Sequence, residues 1–126
     1  MKIKDETGDF CVVGLADEQT RQPDIDKAFS DLIGDEPILL MAHDPATFAA
    51  VPKGNSLTLS GHTHGGQFRF PFIGPLVNSS SAPLRWTLGH VVEDGRHLFV
   101  SSGLGTSVLP LRINCAPDIC FLTICG

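Results

Sequence analysis

The sequence contains no long apolar segment. Its longest apolar run, at positions 38–42, is far shorter than the roughly 18 residues that a membrane-spanning helix needs. The first six residues include two lysines, but the apolar stretch of a secretory signal does not follow them. We therefore expect neither a transmembrane segment nor an export signal in this chain.

The chain also lacks a basic surface stripe. Its net charge is -5, and residues 1–44 hold 11 acidic and 4 basic side chains, whereas residues 45–126 hold 3 and 5. A nucleic-acid-binding protein would cluster lysines and arginines between aromatic residues, so we expect no nucleic-acid partner. The mildly cationic second part would suit an anionic ligand, but widely spaced arginines more often form an ordinary solvated surface.

Cysteines are few, and none of them stands in a Cys-x-x-Cys pair, which excludes a zinc-ribbon spacing. Cys115, Cys120 and Cys125 recur every five residues, so successive members would point to opposite faces of an extended strand. Together with Cys11 they are expected to be buried free thiols, which fits a reducing compartment.

The remaining composition is that of one folded domain or part of one. Of 126 residues, 42% are hydrophobic and 18% charged, which excludes a disordered chain. Residues 10–15, 37–42 and 56–60 form short apolar runs that predict strands. The run at 37–42 is apolar on both sides and predicts a strand in the middle of a sheet that is covered on both faces.

Helical segments are predicted between these strands. After Pro23 the apolar residues fall on one helix face before Gly34, and Asp44-Pro45 is typical of the start of a second, short helix. The apolar face comprises Ile25, Ala28, Phe29, Leu32 and Ile33. Alternating strands and helices favour parallel pairing, so the predicted fold class is α/β.

The second half of the chain differs. Residues 65–83 are rich in glycine, proline and serine and predict a long loop, which in compact domains is often functional. The turn residues Asp94-Gly95 predict a hairpin between strands 88–92 and 98–101, and residues 119–124 are predicted as a last strand.

Two predicted strands end on histidine. His43 follows one strand and His62 the next, and parallel strands collect ligands at their carboxyl ends. In an extended segment His62 and His64 would point to the same side, and the neighbouring Gly61, Gly65 and Gly66 would allow a tight loop around ions. A glycine-rich surface loop with exposed histidines is the plain alternative, and a lone histidine such as His43 is more often a capping or core residue.

The literal sequence of residues 57–67, Leu-Thr-Leu-Ser-Gly-His-Thr-His-Gly-Gly-Gln, resembles the last signature of the calcineurin-like metallophosphoesterases. His43 resembles the isolated histidine that precedes this signature in the family. Segments 103–106 and 109–112 are similar to the closing part of a bacterial, often membrane-associated branch, which is related to enzymes that hydrolyse UDP-2,3-diacylglucosamine. The resemblance extends from about residue 10 to the end.

This resemblance implies a fold, a reaction and a set of ligands. The chain would be the C-terminal portion of a four-layer α/β/β/α sandwich that ends in mostly antiparallel strands. His43 and His62 would bind one metal ion and His64 a second, and a bridging hydroxide would hydrolyse a phosphodiester or pyrophosphate. Manganese, iron and zinc all suit imidazole ligands. The location would be cytoplasmic or peripheral on the cytoplasmic membrane.

Substrate contacts are expected from Gly65, Gly66, Gln67 and Arg112, although a surface salt bridge is the plainer interpretation of Arg112. The substrate is a phosphoester that could be lipid-linked. Phe68, Phe70 and Phe72 alternate as an apolar stripe that could meet a lipid, but core packing is favoured.

The earlier motifs of the family, Asp-x-His, Gly-Asp-x-x-Asp and Gly-Asn-His, are absent. Gly8-Asp9 and Gly34-Asp35 lack the second aspartate, and Gly54-Asn55 precedes a serine. Residues 1–126 are therefore interpreted as the C-terminal half of the domain, with the N-terminal half as the expected partner. Three imidazoles without a carboxylate would hold at most one ion weakly, so the chain alone is expected to be inactive.

Ala46 and Ser102 also differ from the residues common in this branch, which puts substrate contacts in doubt. Two further hypotheses remain open. The chain could be a non-catalytic metal-binding or interaction module, or a purely structural α/β remnant.

Overall fold

A six-stranded mixed sheet organises the chain in the computed structural model, which describes residues 1–6, 8–17, 23–30, 32, 34–54, 56–76 and 78–123. Its strands are β1 (Lys2–Asp5), β2 (Gly8–Gly14), β3 (Ile38–Met41), β4 (Ser56–Ser60), β7 (Gly89–Glu93) and β8 (Arg96–Val100), in the order β1-β2-β3-β4-β8-β7. A separate small hairpin pairs β5 (Arg69–Phe70) with β6 (Gly74–Pro75). The α/β class predicted from the sequence is confirmed.

The centre of the sheet is parallel. Strands β2, β3, β4 and β8 run in one direction, and the edge strands β1 and β7 pair antiparallel with β2 and β8. The predicted hairpin is confirmed, since Asp94 and Gly95 join β7 to β8 with φ of 53° and 75°. Its second strand then pairs parallel with β4, so the end of the chain is only partly antiparallel.

One face of the sheet carries the core. Val13, Leu40, Leu98 and Val100 are buried on this face under Phe48, Val51, Ala82 and Trp86. The Phe48 and Trp86 rings meet edge to face with centroids 5.1 Å apart. Each fully buried large side chain of this kind contributes about 2 kcal/mol to folding. The core therefore fixes β3, β4 and β8 relative to one another.

Short helices cover this face. Helix α1 (Ile25–Ser30) packs Ala28 and Phe29 against the core, as the predicted apolar face requires, while positions 31 and 33 lie outside the described residues. The helix predicted after Asp44 forms as a 3-10 helix (Pro45–Ala50), and its cap is confirmed because Asp44 Oδ1 accepts a hydrogen bond from Ala46 N at 2.8 Å. Further 3-10 turns span His64–Gly66 and Leu84–Trp86.

The opposite face of the sheet is not covered within the described part of the chain. Residues paired across β3, β4 and β8 point to the same side, and here they form an apolar surface of Leu39, Met41, Leu57, Leu59 and Phe99. Met41 remains 53% exposed, and a groove of about 390 Å³ follows the amino ends of the strands. The prediction that β3 is covered on both faces is wrong for these residues.

Other local predictions also need correction. Residues 119–123 form no strand, because their backbone pairs with no neighbouring strand; Leu122 lines the edge of the groove, and residue 124 is not described. Phe70 and Phe72 are exposed and do not pack in the core, since they lie at the β5–β6 turn, away from the six-stranded sheet.

The cysteine prediction holds in part. Cys11 and Cys115 are buried free thiols, whereas Cys120 is a free thiol on the surface because it lies in an exposed coil; Cys125 is outside the described residues. Among the residues that the structure describes, no helix has the length and apolar character to span a membrane.

Candidate metal centre

The two strand-end histidines lie side by side. Strands β3 and β4 are adjacent and parallel, and hydrogen bonds from Ala42 N to Leu59 O (3.0 Å) and from Gly61 N to His43 O (3.1 Å) extend their alignment past the last ladder pair. His43 Nε2 is 3.0 Å from His62 Nδ1, and the ring planes are tilted by 59°. The expected approach of these two rings is thus observed.

This geometry suits a shared ion. Two imidazole nitrogens bound to one tetrahedral Zn²⁺ would stand about 3.3 Å apart, close to the spacing observed between His43 and His62. The same spacing allows one ring to donate an N–H bond to the other when no ion is bound, with the tautomer set by that bond. Two imidazole nitrogens are donors that borderline metal ions prefer.

A carboxylate stands behind the pair. Asp44 Oδ2 lies 3.7 Å from His62 Nε2, on the side of the ring away from His43, and both side chains are largely buried. Ligating histidines commonly turn their second nitrogen toward such a carboxylate, which favours the tautomer with a free electron pair toward the ion. The sequence indicated only a capping role for Asp44. Its position directly after a histidine at a strand end could also have indicated a place in the metal centre.

His64 occupies a different position. Its Nδ1 is buried and has no hydrogen-bond partner, which leaves this nitrogen free to bind a ligand. The described residues nevertheless contain no group of three or more histidine, cysteine or acidic side chains that could hold an ion together. The structure therefore brings His43 and His62 together and leaves His64 apart from them.

The loop that carries these histidines is not extended. Positive φ angles occur at His62 (64°), His64 (51°) and Gln67 (50°), and also at Gly65 and Gly66. The premise that His62 and His64 point to one side of an extended segment is therefore wrong. A left-handed conformation costs an L-residue about 1 kcal/mol or more, so this loop persists only because its surroundings hold it.

Gly65 shows how closely the loop is held. Its φ is 63°, and a Cβ atom built on it would stand 2.5 Å from Cys115 Sγ and 3.2 Å from Ser102 Cβ. No other residue fits here without displacing the thiol. The requirement for glycine thus comes from both the backbone angle and the packing.

Side-chain hydrogen bonds hold the loop in place. Thr63 Oγ1 donates to Thr87 O (2.7 Å), Ser79 Oγ to His62 O (3.0 Å) and Arg69 Nη1 to Gly65 O (2.9 Å). Ser80 Oγ donates to the Asp44 carboxylate. The predicted long loop thus contributes serines that support the site, although its sequence did not indicate which ones.

The predicted substrate residues contact the chain itself. Gln67 donates from Nε2 to Leu109 O (2.9 Å) and accepts at Oε1 from Ser107 N (2.8 Å). Arg112 donates to main-chain carbonyl groups in place of the expected surface salt bridge. Substrate binding by Gly65, Gly66, Gln67 and Arg112 stays a prediction.

A groove of about 310 Å³ adjoins His64. Its walls include Phe68, Val108 and Leu109 together with uncharged polar residues of the loop. The groove is mainly apolar and opens beside a predicted metal ligand. It would accept an uncharged part of a ligand whose polar end lies at the histidines.

Asp118 fixes the chain where it leaves β8. Its carboxylate accepts hydrogen bonds from Ser101 Oγ (2.5 Å), Gly103 N (3.0 Å) and Ser102 N (3.3 Å). Partial burial by itself would raise the pKa of Asp118, but these hydrogen bonds outweigh it and the pKa lies below its usual value. Nothing in the sequence indicated this role.

Several curated proteins are similar to the chain over most of its length. The metallophosphoesterase YkuE of Bacillus subtilis (strain 168) is 33% identical over 114 residues, which cover 90% of this chain and 40% of the relative. Phosphodiesterase YaeI of Escherichia coli (strain K12) is 35% identical over 92 residues, covering 70% of this chain and 32% of the relative.

UDP-2,3-diacylglucosamine pyrophosphatase LpxG of Chlamydia trachomatis is 31% identical over 119 residues, covering 88% of this chain and 36% of the relative. The chain thus spans less than half the length of each of these relatives. No family model and no solved structure matches it. With the Gly-His-Thr-His loop at the carboxyl edge of a parallel sheet, these similarities establish that the chain belongs to the calcineurin-like metallophosphoesterase family.

Proposed function

We propose that this chain supplies His43, His62 and His64 as ligands to the metal centre of a phosphoesterase that hydrolyses phosphodiester or pyrophosphate bonds. The observation that carries the proposal is the 3.0 Å approach of His43 Nε2 and His62 Nδ1 at the carboxyl ends of adjacent parallel strands. The family supports phosphoesterase chemistry, and the buried free nitrogen of His64 supports a further ligand.

The histidines would divide between two ions of manganese, iron or zinc in the complete domain. His43 and His62 hold one ion, and His64 holds the other. Such ions lower the pKa of bound water and neutralise phosphate oxygens. Within this chain, Asp44 keeps the His62 ring oriented, and the hydrogen bonds of the loop keep His64 at its left-handed backbone angle.

We further propose that residues 1–126 are the C-terminal part of the domain. The described residues offer no cluster of three ligands, and the relatives are more than twice as long as the matched region. The N-terminal half would supply carboxylate ligands and place a second sheet on the apolar face near Met41 and Leu59, giving a four-layer α/β/β/α sandwich. Alone, the chain would hold at most one ion weakly and would be inactive.

The substrate would be a phosphoester with an apolar part, such as a lipid-linked one. LpxG is named for a diacylated substrate, and the apolar groove at Phe68, Val108 and Leu109 adjoins His64. A nucleic acid is not proposed, because the chain has a net charge of -5 and no basic stripe. The site of action would be the cytoplasm or the cytoplasmic surface of the membrane.

A non-catalytic metal-binding or interaction module is the second candidate. It is favoured by one observation, namely that the described residues bring only two of the three histidines together. In that case the chain would bind metal without turning over a substrate, even after the N-terminal part of the domain is added.

The deciding experiment combines metal analysis with hydrolysis of bis-p-nitrophenyl phosphate. The chain is assayed alone and after addition of the N-terminal part of the domain as a second polypeptide. Turnover is expected only in the mixture, and His62→Ala should abolish it while the His90→Ala/His97→Ala double variant retains it. Stoichiometric metal without turnover in the mixture would favour the non-catalytic module. If no metal is retained and His62→Ala has no effect, the chain is a structural remnant.

A further inference from the structure

Arg112 lies where main-chain carbonyl groups from two segments converge. Its guanidinium donates to four of them, namely His64 O (3.3 Å, from Nη1), Ser102 O (2.8 Å, from Nη2), Gly103 O (3.0 Å, from Nη2) and Gly105 O (3.1 Å, from Nε). A second bond to Gly105 O comes from Nη2, and Nη1 also approaches Cys115 Sγ at 3.7 Å. The side chain is half-buried.

One side chain thus joins the loop after β4 to the segment after β8. Carbonyl oxygens that point toward one another repel, and the guanidinium charge compensates them. His64 and Arg112 are 48 residues apart in the sequence, so this contact exists only in the folded chain.

The backbone at His64 needs such support. Its φ of 51° is unfavourable for a residue with a Cβ atom, and its carbonyl oxygen accepts from Gln67 N (2.9 Å) and Cys115 Sγ (3.3 Å) as well as from Arg112. Three donors on one carbonyl fix its direction. The direction of this peptide group in turn sets where the His64 imidazole, with its free Nδ1, is presented.

The chemistry of the site favours arginine over any other residue. A guanidinium presents five N–H donors in a rigid planar fork, whereas lysine offers three donors at the end of a flexible stem. Here both nitrogens of the fork and Nε are occupied by main-chain acceptors. A phosphate could bind these donors only by displacing the carbonyl groups, so the contacts argue against a direct substrate role.

We propose that Arg112 is a positioning residue that fixes the main chain of His64 and thereby its metal-binding imidazole. This inference rests on the proposed function only in taking His64 as a metal ligand. The role differs from the predicted substrate contact, because Arg112 acts through His64 and touches no substrate. Residues of this kind behind a ligand typically change metal affinity by about 10- to 100-fold when removed.

The test compares Arg112→Gln and Arg112→Lys in the full chain with Arg85→Gln as a matched control. Arg85 is an exposed arginine that pairs with Glu93 on β7, and it contacts neither the loop nor the segment after β8 in its hydrogen bonds. Two quantities are measured, namely amide hydrogen exchange at Gly66 and Gln67 in the chain and the affinity for Co²⁺ or Zn²⁺ of the chain mixed with the N-terminal part of the domain. Circular dichroism reports whether each variant is folded.

In Arg112→Gln we expect the Gln67 amide hydrogen to exchange at least about tenfold faster than in the unaltered chain. Metal binding should be about 10- to 100-fold weaker. Arg112→Lys should fall between Arg112→Gln and the unaltered chain, and Arg85→Gln should match the unaltered chain. Methylguanidinium added to Arg112→Ala should slow the exchange again. Amides of β2 and β3, which Arg112 does not contact in its hydrogen bonds, should exchange at the unaltered rate, whereas a loss of general stability would speed exchange there as well.

Unchanged exchange and affinity in Arg112→Gln would overturn the inference. If Arg112→Gln does not fold, Arg112→Lys decides, and wild-type exchange and affinity in that variant would equally overturn it. The proposed function fails separately, when His64→Ala leaves the metal affinity of this mixture unchanged. In that event faster exchange in Arg112→Gln would still establish that Arg112 positions the His64 main chain.

Discussion

The molecule carries two histidine pairs with the same nitrogen-to-nitrogen distance in two different settings. His43 and His62 approach to 3.0 Å at the ends of parallel strands, and His90 and His97 approach to 3.0 Å on the β7–β8 hairpin. The first pair is tilted by 59°, whereas the rings of the second are within 17° of parallel. The His62 side chain is largely buried beside the Asp44 carboxylate, while both histidines of the hairpin are exposed.

The difference shows that close nitrogen atoms do not by themselves make a metal centre. On the hairpin, His90 stands opposite Phe99 and His97 opposite Val92, so the two rings are diagonal neighbours across an antiparallel ladder, and their contact is an ordinary cross-strand pair. The pair His43–His62 instead lies where loops and helix starts converge, with a carboxylate behind it. The position of each pair in the sheet therefore distinguishes the candidate metal ligands from the ordinary cross-strand pair.

The largest expected difference concerns stability, when one glycine is replaced in the loop that carries His62 and one in the hairpin that carries the second pair. Gly65→Ala should lower the free energy of unfolding by about 2–4 kcal/mol, because the new Cβ atom would overlap Cys115 Sγ at an unfavourable φ. Gly95→Ala in the hairpin turn, with φ of 75° and open space around it, should cost about 1 kcal/mol. Urea denaturation measures both values, and equal costs would contradict the close packing described at Gly65.

The second-largest expected difference between the two pairs is in metal affinity. Replacing His43 or His62 by alanine should weaken Zn²⁺ binding by more than about tenfold, because each substitution removes a ligand. His90→Ala and His97→Ala should change it by less than about twofold, since that pair lacks the tilt and the carboxylate of the first. Isothermal titration calorimetry measures these affinities. Comparable losses of Zn²⁺ affinity at both pairs would show that the hairpin is a second metal site and would contradict the distinction between the two pairs.

The carboxylate behind the first pair should have a smaller effect. Asp44→Asn should lower the free energy of unfolding by about 1 kcal/mol, because an amide replaces the charged acceptor of the Ala46 N–H and Ser80 O–H groups. It should also weaken metal binding by about tenfold through the orientation of His62. Thermal unfolding and calorimetry on the same variant measure both effects. A change in stability without a change in affinity would remove Asp44 from the metal centre.

Glu93, a carboxylate on the same hairpin as the second pair but without a hydrogen bond to it, should have the smallest effect, and one that depends on pH. Hydrogen bonds from Arg85 and then Trp86 lower the pKa of Glu93 below 4.5. Because the folded pKa is depressed, the stabilisation is present above the unfolded pKa and is lost as the pH falls through the folded value. Glu93→Gln should therefore lower Tm by at most about 3 °C at pH 7.

That difference in Tm should fade as the pH falls below the unfolded pKa of Glu93 and through its depressed folded pKa, where the folded chain also binds the proton. Thermal unfolding from pH 3 to pH 7 measures the trend. A difference that is the same across this range would show that the ion pair with Arg85 does not contribute. Metal affinity should not change in this variant.

Local signals in the sequence predicted much of the fold. Apolar runs located β2, β3 and β4, Asp44-Pro45 predicted the short helix that follows His43, and Asp94-Gly95 predicted the hairpin. Each of these depends on interactions between residues near one another in the chain. The last strand, predicted at 119–124, did not form in the described residues, because strand pairing needs a free edge that the sequence does not display.

The sequence indicated that the rings of His43 and His62 could meet, but it did not indicate the geometry of the loop. The sequence located His43 and His62, but it implied an extended His62-Thr63-His64 segment where the structure has left-handed turns. The roles of Gln67 and Arg112 depend on acceptors some 40 to 48 residues away, such as Leu109 O and His64 O. Contacts of that range leave no local trace in a single sequence.

The thiol packed beneath Gly65 makes this loop observable in solution. Cys115 is 5% exposed, while Cys120, five residues further along the same segment, lies on the surface. A thiol reagent will therefore modify Cys120 at the rate of a free thiol and Cys115 only when the histidine loop lifts away from it. The ratio of the two labelling rates therefore measures how often the loop opens. Mass spectrometry gives this ratio without any substitution in the chain.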